Sequence, residues 1–150
     1  MGPIFRKLNL KDQPEVVVVG APASFEPVLA ELGDRRVVRD PADVDAVAFA
    51  LAFAARRAEL DPLAVALAAK AVGDAVLWFA YPKKSSKRYR ADIDRDHGWD
   101  VLGAAGFEPV RQVSIDEDWS ALRFRRVEHI QTFTRPAAGA LSEAGKRRGR

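Results

Sequence analysis

The sequence predicts an α/β fold: a single Rossmann-like domain with a mostly parallel sheet and a C-terminal antiparallel hairpin. Two observations support this prediction. Continuous apolar runs, typical of strands buried on both faces, alternate along the chain with segments of helical periodicity. The last two apolar segments instead follow each other across a short acidic turn, which is typical of a hairpin. A chain of 150 residues, 48% of them hydrophobic, is long enough to form one such core.

The first strand and the first helix are expected within residues 16–33. Four consecutive valines at positions 16–19 predict a buried strand, which Gly20 closes. Ser24 is the expected N-terminal cap of the helix, and Gly33 is its expected left-handed end. Between them, apolar residues recur at the spacing of one buried helical stripe. That stripe consists of Phe25, Val28, Leu29 and Leu32.

The middle of the chain predicts two more strands and a second helix. Residues 36–39 form a short strand, and residues 46–53 form a longer one that is apolar throughout. A helix is expected over residues 56–72. Because Asp61 and Pro62 have the pattern of a cap followed by proline at the first helical position, the helix proper could instead begin there.

The last third predicts a fourth strand, a third helix and the closing hairpin. The strand covers residues 75–81, and either Asp94 or Asp96 is expected to cap the helix. The hairpin pairs residues 110–115 with residues 121–127, where leucine and phenylalanine alternate with arginine. Such alternation predicts an antiparallel strand with one solvated face. The expected order of elements is therefore β-α-β-β-α-β-α-β-β.

The positive charge is concentrated in two short segments. The tail, residues 135–150, contains five basic residues and one acid, a net charge of +4. Since the whole chain carries +3, residues 1–134 carry −1. We expect residues 1–134 to form the domain and the tail to be disordered. Within the domain, residues 81–90 contain five cations and no acid, and we call this segment the basic loop. The broad basic face that is typical of DNA-binding proteins is missing.

Composition excludes several classes of site and location. The chain contains no cysteine, which excludes a disulfide framework, a thiolate metal site and a cysteine nucleophile. Residues 1–11 lack the apolar stretch of a signal peptide. The longest apolar run, residues 46–55, is shorter than the roughly 20 residues of a membrane-spanning helix. We therefore expect a cytoplasmic protein without a membrane partner.

No catalytic or metal-binding motif is present in the sequence. His97 and His129 are the only histidines, and no Gly-x-Ser-x-Gly motif occurs. Acidic residues cluster at 92–96 and at 116–118, but the first cluster lacks the glycine and glutamate of a calcium loop. Three consecutive acids in a turn point in different directions and suit a cation poorly. We predict no catalytic residue, no metal and no resident cofactor.

The order of elements resembles a shortened class I methyltransferase domain. In that family the first strand ends in a glycine-rich turn that cradles S-adenosylmethionine, and an acidic residue after the second strand holds its ribose. By this resemblance, Gly20 and Asp40 are the candidate cofactor-binding residues. The turn after the first strand has only one of the family's glycines, and Pro22 has no N–H to offer a ligand. Residues 54–56 also lack the Asn/Asp-Pro-Pro-aromatic motif of amine methylation.

Three segments resemble a family of small bacterial proteins that share a domain of unknown function. They are residues 20–26, residues 78–86 with the motif YPKKSS, and residues 116–125 with the sequence DEDWSALRFR. The similarity extends from about residue 5 to residue 135. It implies a methyltransferase-like fold and a bacterial origin. It assigns no catalytic residue, because the family has no assigned activity.

One edge of the predicted sheet is a candidate anion site. Open α/β sheets bind ligands beyond the carboxyl ends of their strands, where the winding of the chain reverses. The loops after the first, third and fourth strands reach this edge with cations, hydroxyls and a helix N-terminus, which suit phosphate or carboxylate. The candidate anion-binding residues are Ser24, Arg56, Arg57, Lys83, Lys84, Ser85, Ser86 and Lys87.

Three functions are compatible with these features. The first is a binding or interaction module without catalytic activity, whose partner is a small anionic ligand. The second is a divergent S-adenosylmethionine-dependent methyltransferase. The third is an accessory protein that binds nucleic acid through the basic loop and the tail, with Tyr81 and Tyr89 beside the loop as stacking residues. The first is the function that the sequence favours.

Overall fold

Six strands form one mixed sheet in the computed structural model, which describes residues 1–130. The strands are β1 Glu15–Val19, β2 Arg36–Val38, β3 Val47–Phe53, β4 Ala71–Pro82, β5 Phe107–Ser114 and β6 Trp119–Arg126. Their order across the sheet is β2-β1-β3-β4-β6-β5. The first four strands are parallel, whereas β6 is antiparallel to both β4 and β5. The predicted α/β fold class is confirmed. The expected disordered tail, residues 135–150, lies outside the described residues.

The described residues also form four α-helices and three 3-10 turns. The helices are α1 Pro3–Lys7, α2 Glu26–Ala30, α3 Arg57–Lys70 and α4 Asp100–Ala104. The turns are Ala23–Phe25, Pro41–Asp43 and Val127–His129. The sequence did not predict α1, because five residues are too few to show a helical period. No helix of the described chain is long and apolar enough to cross a membrane.

Two hydrophobic clusters cover the two faces of the sheet. Because side chains alternate along a strand, Leu77 and Phe79 of β4 belong to one cluster and Trp78 and Ala80 to the other. The first cluster includes Leu60 of α3 and extends to α4. The second includes residues of α1 and α2. The Nε1 of the buried Trp78 donates a hydrogen bond to the Leu8 carbonyl at 2.7 Å, which ties the N-terminal segment to the sheet.

Ser24 does not cap α2, contrary to the sequence prediction. The chain enters α2 through the turn Ala23–Phe25, and Ser24 is an exposed residue inside that turn. Pro22 and Pro27 have a fixed φ that favours the first residues of a helical turn. The cap positions consequently fall on Pro22 and Phe25, neither of which makes a side-chain cap.

The second predicted helix begins at Arg57, and Asp61-Pro62 is not its start. Two acids cap the true N-terminus. Glu59 accepts hydrogen bonds from the N–H groups of Ala55 and Arg56 at 3.2 and 3.1 Å. Asp92, which is distant in sequence, accepts one from the N–H of Arg57 at 2.7 Å. These caps outweigh the proline, which stands inside the helix and leaves one carbonyl without its helical donor.

The third predicted helix is short and begins at Asp100, so neither Asp94 nor Asp96 caps it. Asp94 is instead part of a local turn, where its Oδ1 accepts from the N–H of Asp96 at 2.9 Å and lies 2.8 Å from Nδ1 of His97. Short-range bonds of this kind compete with helix formation. The helix starts only after the turn is complete.

Candidate anion-binding site

The carboxyl ends of the parallel strands lie at one edge of the sheet. The chain moves from β1 to β2 on one side and then to β3 on the other, so its winding reverses between β1 and β3. Gly20 follows β1 at this edge and Ala54 follows β3. The basic loop begins at the end of the neighbouring β4. The predicted geometry of the edge is therefore present, and the side chains decide where it is open.

Aromatic side chains and a tight backbone contact fill part of this edge. Gly20 has a φ of +71°, and a Cβ at this position would lie 2.9 Å from the carbonyl oxygen of Phe53. The Phe53 ring contacts Phe25 at 5.0 Å and Trp119 at 5.2 Å between centroids. The first turn thus packs directly on the end of β3.

A groove opens beside the neighbouring strand end, under the segment from Pro82 to His97. Its volume is about 920 Å³. Within the described residues it is lined by Pro82, Lys83, Lys84, Ser86, Lys87, Tyr89, Arg90, Ala91, Asp92, Ile93, Asp94 and His97. We call it the basic-loop groove. All of its walls come from one continuous stretch of chain, which explains why composition alone indicated its charge.

Two cations of the groove are free. The side chains of Lys87 and Arg90 are exposed and make no hydrogen bond or ion pair with any residue that the structure describes. Lys84 contacts Asp94 at 3.6 Å, but its side chain is 85% exposed, so this ion pair is weak. Lys83 is held in place, because its Nζ donates to Ser114 Oγ at 2.6 Å.

Both acids of the groove already have partners. Asp92 caps α3 through the N–H of Arg57. Asp94 bonds to His97 and to the N–H of Asp96, and these hydrogen bonds, with the one to His97 the strongest cause, hold the pKa of Asp94 below its ordinary value. The acids therefore satisfy donors within the protein, and the remaining cations line the groove.

The basic loop is anchored to the turn between β5 and β6. Asp118 receives two hydrogen bonds from the loop, from the N–H of Lys83 to its carbonyl at 2.8 Å and from Ser86 Oγ to its Oδ1 at 2.8 Å. The N–H of Tyr89 donates to Ser86 Oγ at 3.2 Å. The ring of Tyr89 lies 4.9 Å from that of Trp119. The segments 78–86 and 116–125, which were singled out by resemblance, are thus in direct contact.

The structure brings half of the predicted anion-binding residues together. Lys83, Lys84, Ser86 and Lys87 line the groove. Ser85 lines an adjoining pocket of about 370 Å³, together with Lys87 and three other residues. The other three predicted residues, Ser24, Arg56 and Arg57, lie outside both linings, and Arg57 is paired with Asp100 at 3.5 Å and Asp61 at 3.9 Å.

Eight lining residues were not among the predicted site residues, and four of them bear on ligand binding. They are Tyr89, Arg90, Ile93 and His97. The sequence could have indicated these residues, because they lie in the basic loop or soon after it. The segment after Lys87 contains no apolar run that would carry the chain away from the site. No three acidic or histidine side chains within residues 1–130 converge on a point that could hold a metal ion.

The residues at the first turn differ from those that usually bind S-adenosylmethionine. Pro22 is at the start of the turn Ala23–Phe25 and has no N–H. The N–H of Phe25 is already bonded to the Pro22 carbonyl at 2.9 Å. Asp40 uses Oδ1 to accept from the N–H of Ala42 at 2.9 Å, which makes it a cap of the next turn.

Comparison with solved structures finds similar folds at low sequence identity. Ribosomal protein L11 methylase from Lactobacillus delbrueckii subsp. bulgaricus is 15% identical, with a TM-score of 0.54 over 82% of this chain and 77% of that protein. The pyocyanin biosynthetic protein PhzM is 13% identical, with a TM-score of 0.51 over 83% of this chain and 54% of PhzM, so the chain spans about half of its length. At these identities the similarity shows the fold alone, which is methyltransferase-like. No protein-family model and no curated protein matches the chain, so membership in the bacterial family stays a prediction.

Proposed function

We propose that this protein binds a small ligand carrying a phosphate or carboxylate in the basic-loop groove, as a binding module without catalytic activity. One observation carries the proposal: the groove presents free cations while its acids are occupied. Lys87 and Arg90 have no partner among the described residues, whereas Asp92 and Asp94 are hydrogen-bonded to donors of the protein itself.

Like charges on one short segment repel one another, and an anion bound among them offsets this repulsion. Several cations around a concave surface raise the local positive potential and concentrate anions there. Arg90 can offer a planar guanidinium for two parallel hydrogen bonds, and lysines supply point charges. Lys84 can leave its exposed contact with Asp94 at little cost, since surface ion pairs contribute about 0–1 kcal/mol.

The hydroxyl groups near the groove support binding better than nucleophilic catalysis. Ser86 donates its proton to Asp118 and accepts from the N–H of Tyr89, so its oxygen is committed to the anchor of the loop. His97 is bonded to Asp94 through Nδ1. A nucleophile needs a base within hydrogen-bond reach, and no hydroxyl of the described groove has His97 as a partner.

The test is calorimetric titration of inorganic phosphate into the wild-type protein and into the double variant K87A/R90A. Charge-assisted hydrogen bonds contribute more than neutral ones, so we expect the double variant to bind about tenfold more weakly or worse. The matched control is R6A/K11A, which removes two exposed positive side chains from another part of the surface, neither of which has a partner within residues 1–130. Equal weakening in both variants would mean that only net charge matters, and the proposal would fail.

A second candidate, an S-adenosylmethionine-dependent methyltransferase, is favoured by the similarity to L11 methylase over 82% of the chain. The misfit at Pro22 and Asp40 opposes it. We therefore expect no rise in melting temperature with S-adenosylmethionine or its demethylated product. A ligand at 100 times its dissociation constant stabilises by about 2.7 kcal/mol. A stabilisation of that size by either compound would make methyl transfer the favoured function.

A further inference from the structure

We infer that the groove takes a phosphate attached to a planar aromatic ring, a ligand of the mononucleotide class, and not a bare inorganic or carbohydrate anion. The inference rests on the proposed anion-binding function and adds the chemistry of the rest of the ligand. It depends on three features of the groove: its size, its apolar walls and the support behind one aromatic ring.

The size of the groove exceeds what an inorganic anion can fill. Sites for organic ligands and cofactors occupy roughly 300–1,000 Å³, and the groove has about 920 Å³. A phosphate ion bound to Lys87 and Arg90 would leave most of that space to water. The groove therefore has room for a second chemical group next to the anion.

The walls that face this space include apolar side chains. Pro82 and Ile93 line the groove and are buried, Ile93 with 3% of its surface exposed. Tyr89 also lines it and is half-buried. Apolar walls beside a few polar groups are typical of pockets for organic ligands. A sugar phosphate would leave these walls in contact with water or with hydroxyls.

Tyr89 has the support that a stacking residue needs. Its ring rests against Trp119 at 4.9 Å with an interplanar angle of 53°, and Trp119 in turn rests against Phe53 at 5.2 Å. Its N–H is bonded to Ser86 Oγ. The ring is thus held from the core side before any ligand arrives, which lowers the entropic cost of stacking on it.

The free cations lie close to this ring along the chain. Lys87 is two residues before Tyr89, and Arg90 directly follows it. If the ring of a ligand stacked on Tyr89, the phosphate attached to that ring would lie near both cations, because all three residues belong to one short segment. The combination of an aromatic platform with adjacent positive charge is the arrangement by which proteins bind bases and their phosphates.

A nucleic-acid strand is less compatible with the surface around the groove. The free cations of the groove belong to one loop, and residues 1–134 carry a net charge of −1. Strand binding requires a positive surface that follows many phosphates. The described surface supports one phosphate group at a time, and therefore a small ligand.

The experiment compares adenosine 5′-monophosphate, ribose 5-phosphate and inorganic phosphate by calorimetric titration. For the wild-type protein we expect adenosine 5′-monophosphate to bind about tenfold more tightly than ribose 5-phosphate, because stacking adds to the shared phosphate contacts. The variant Y89F keeps the ring and should keep this ratio. The variant Y89L keeps apolar bulk against Trp119 without the ring and should bring the two affinities within about twofold. Both variants should bind inorganic phosphate as the wild type does.

The outcomes separate this inference from the proposed function. Equal affinities for adenosine 5′-monophosphate and ribose 5-phosphate in the wild type would overturn the aromatic ligand and leave anion binding intact. The absence of binding by all three phosphates would overturn the proposed function and this inference together. A short oligothymidylate that binds while adenosine 5′-monophosphate does not would also overturn the inference, in favour of a nucleic-acid partner.

Discussion

Ser86 Oγ donates a hydrogen bond of 2.8 Å to Asp118 Oδ1, across 32 positions of sequence. This bond joins the basic loop after β4 to the turn between β5 and β6. It acts together with the bond from the N–H of Lys83 to the Asp118 carbonyl and with the contact of Tyr89 and Trp119. The turn of the β5–β6 hairpin thus holds the basic-loop groove in position after the parallel strand β4.

Loss of the Ser86 hydroxyl should loosen the basic loop. S86A removes the donor to Asp118 and the acceptor of the Tyr89 N–H, and we expect a loss of about 1 kcal/mol in the free energy of unfolding. The matched control is S85A, since Ser85 is exposed and makes no bond with a described residue. Urea unfolding measures the loss, and hydrogen exchange in residues 83–97 locates it. An equal loss in both variants would contradict the anchor.

Alanine at Gly20 should be more destabilising than alanine at Gly33. Both glycines have a left-handed φ, of +71° and +65°, so both substitutions strain the backbone. A Cβ at Gly20 would also lie 2.9 Å from the Phe53 carbonyl oxygen, whereas one at Gly33 would meet no atom of the described residues within 4 Å. We expect G20A to lose at least about 1 kcal/mol more than G33A in thermal unfolding, from the added overlap. Equal losses would mean that the first turn does not pack on β3 as described.

Removal of the Asp92 carboxylate should weaken the start of α3. D92A leaves the N–H of Arg57 without its acceptor at 2.7 Å, and loss of a helix cap costs about 1 kcal/mol. D96A is the matched control, because the exposed Asp96 side chain has no partner among the described residues and its N–H is retained. Denaturant unfolding monitored by circular dichroism compares the two. If D96A lost as much stability as D92A, net charge and not the cap would be responsible.

The charge of the groove could be predicted from sequence, but its boundaries could not. Lys83, Lys84 and Lys87 were expected because they stand in one uninterrupted basic stretch. Arg57 was expected for its charge, and the fold pairs it with Asp61 and Asp100 instead. Which cation keeps a free charge depends on neighbours that are distant in sequence, and charge composition carries no information about them.

The ends of the helices could likewise be predicted from sequence only where local residues determine them. Gly33 does have the left-handed φ expected after a helix, because glycine adopts it without a Cβ clash. The range expected for α3 was right to within one residue at its start, but the alternative start at Asp61-Pro62 was wrong, because one of the true caps is Asp92, 35 positions away. A cap that comes from another element has no local pattern to reveal it.

The sequence by itself determined the α/β class, the parallel inner strands and the closing hairpin, because apolar periodicity reflects which faces of each element are buried. The tertiary structure alone decided where the edge of the sheet is open. Aromatic packing of Phe25, Phe53 and Trp119 fills the end of β3, and the bond between Ser86 and Asp118 holds the groove beside β4. These contacts join residues far apart in the chain, and only folding brings their side chains within reach of one another.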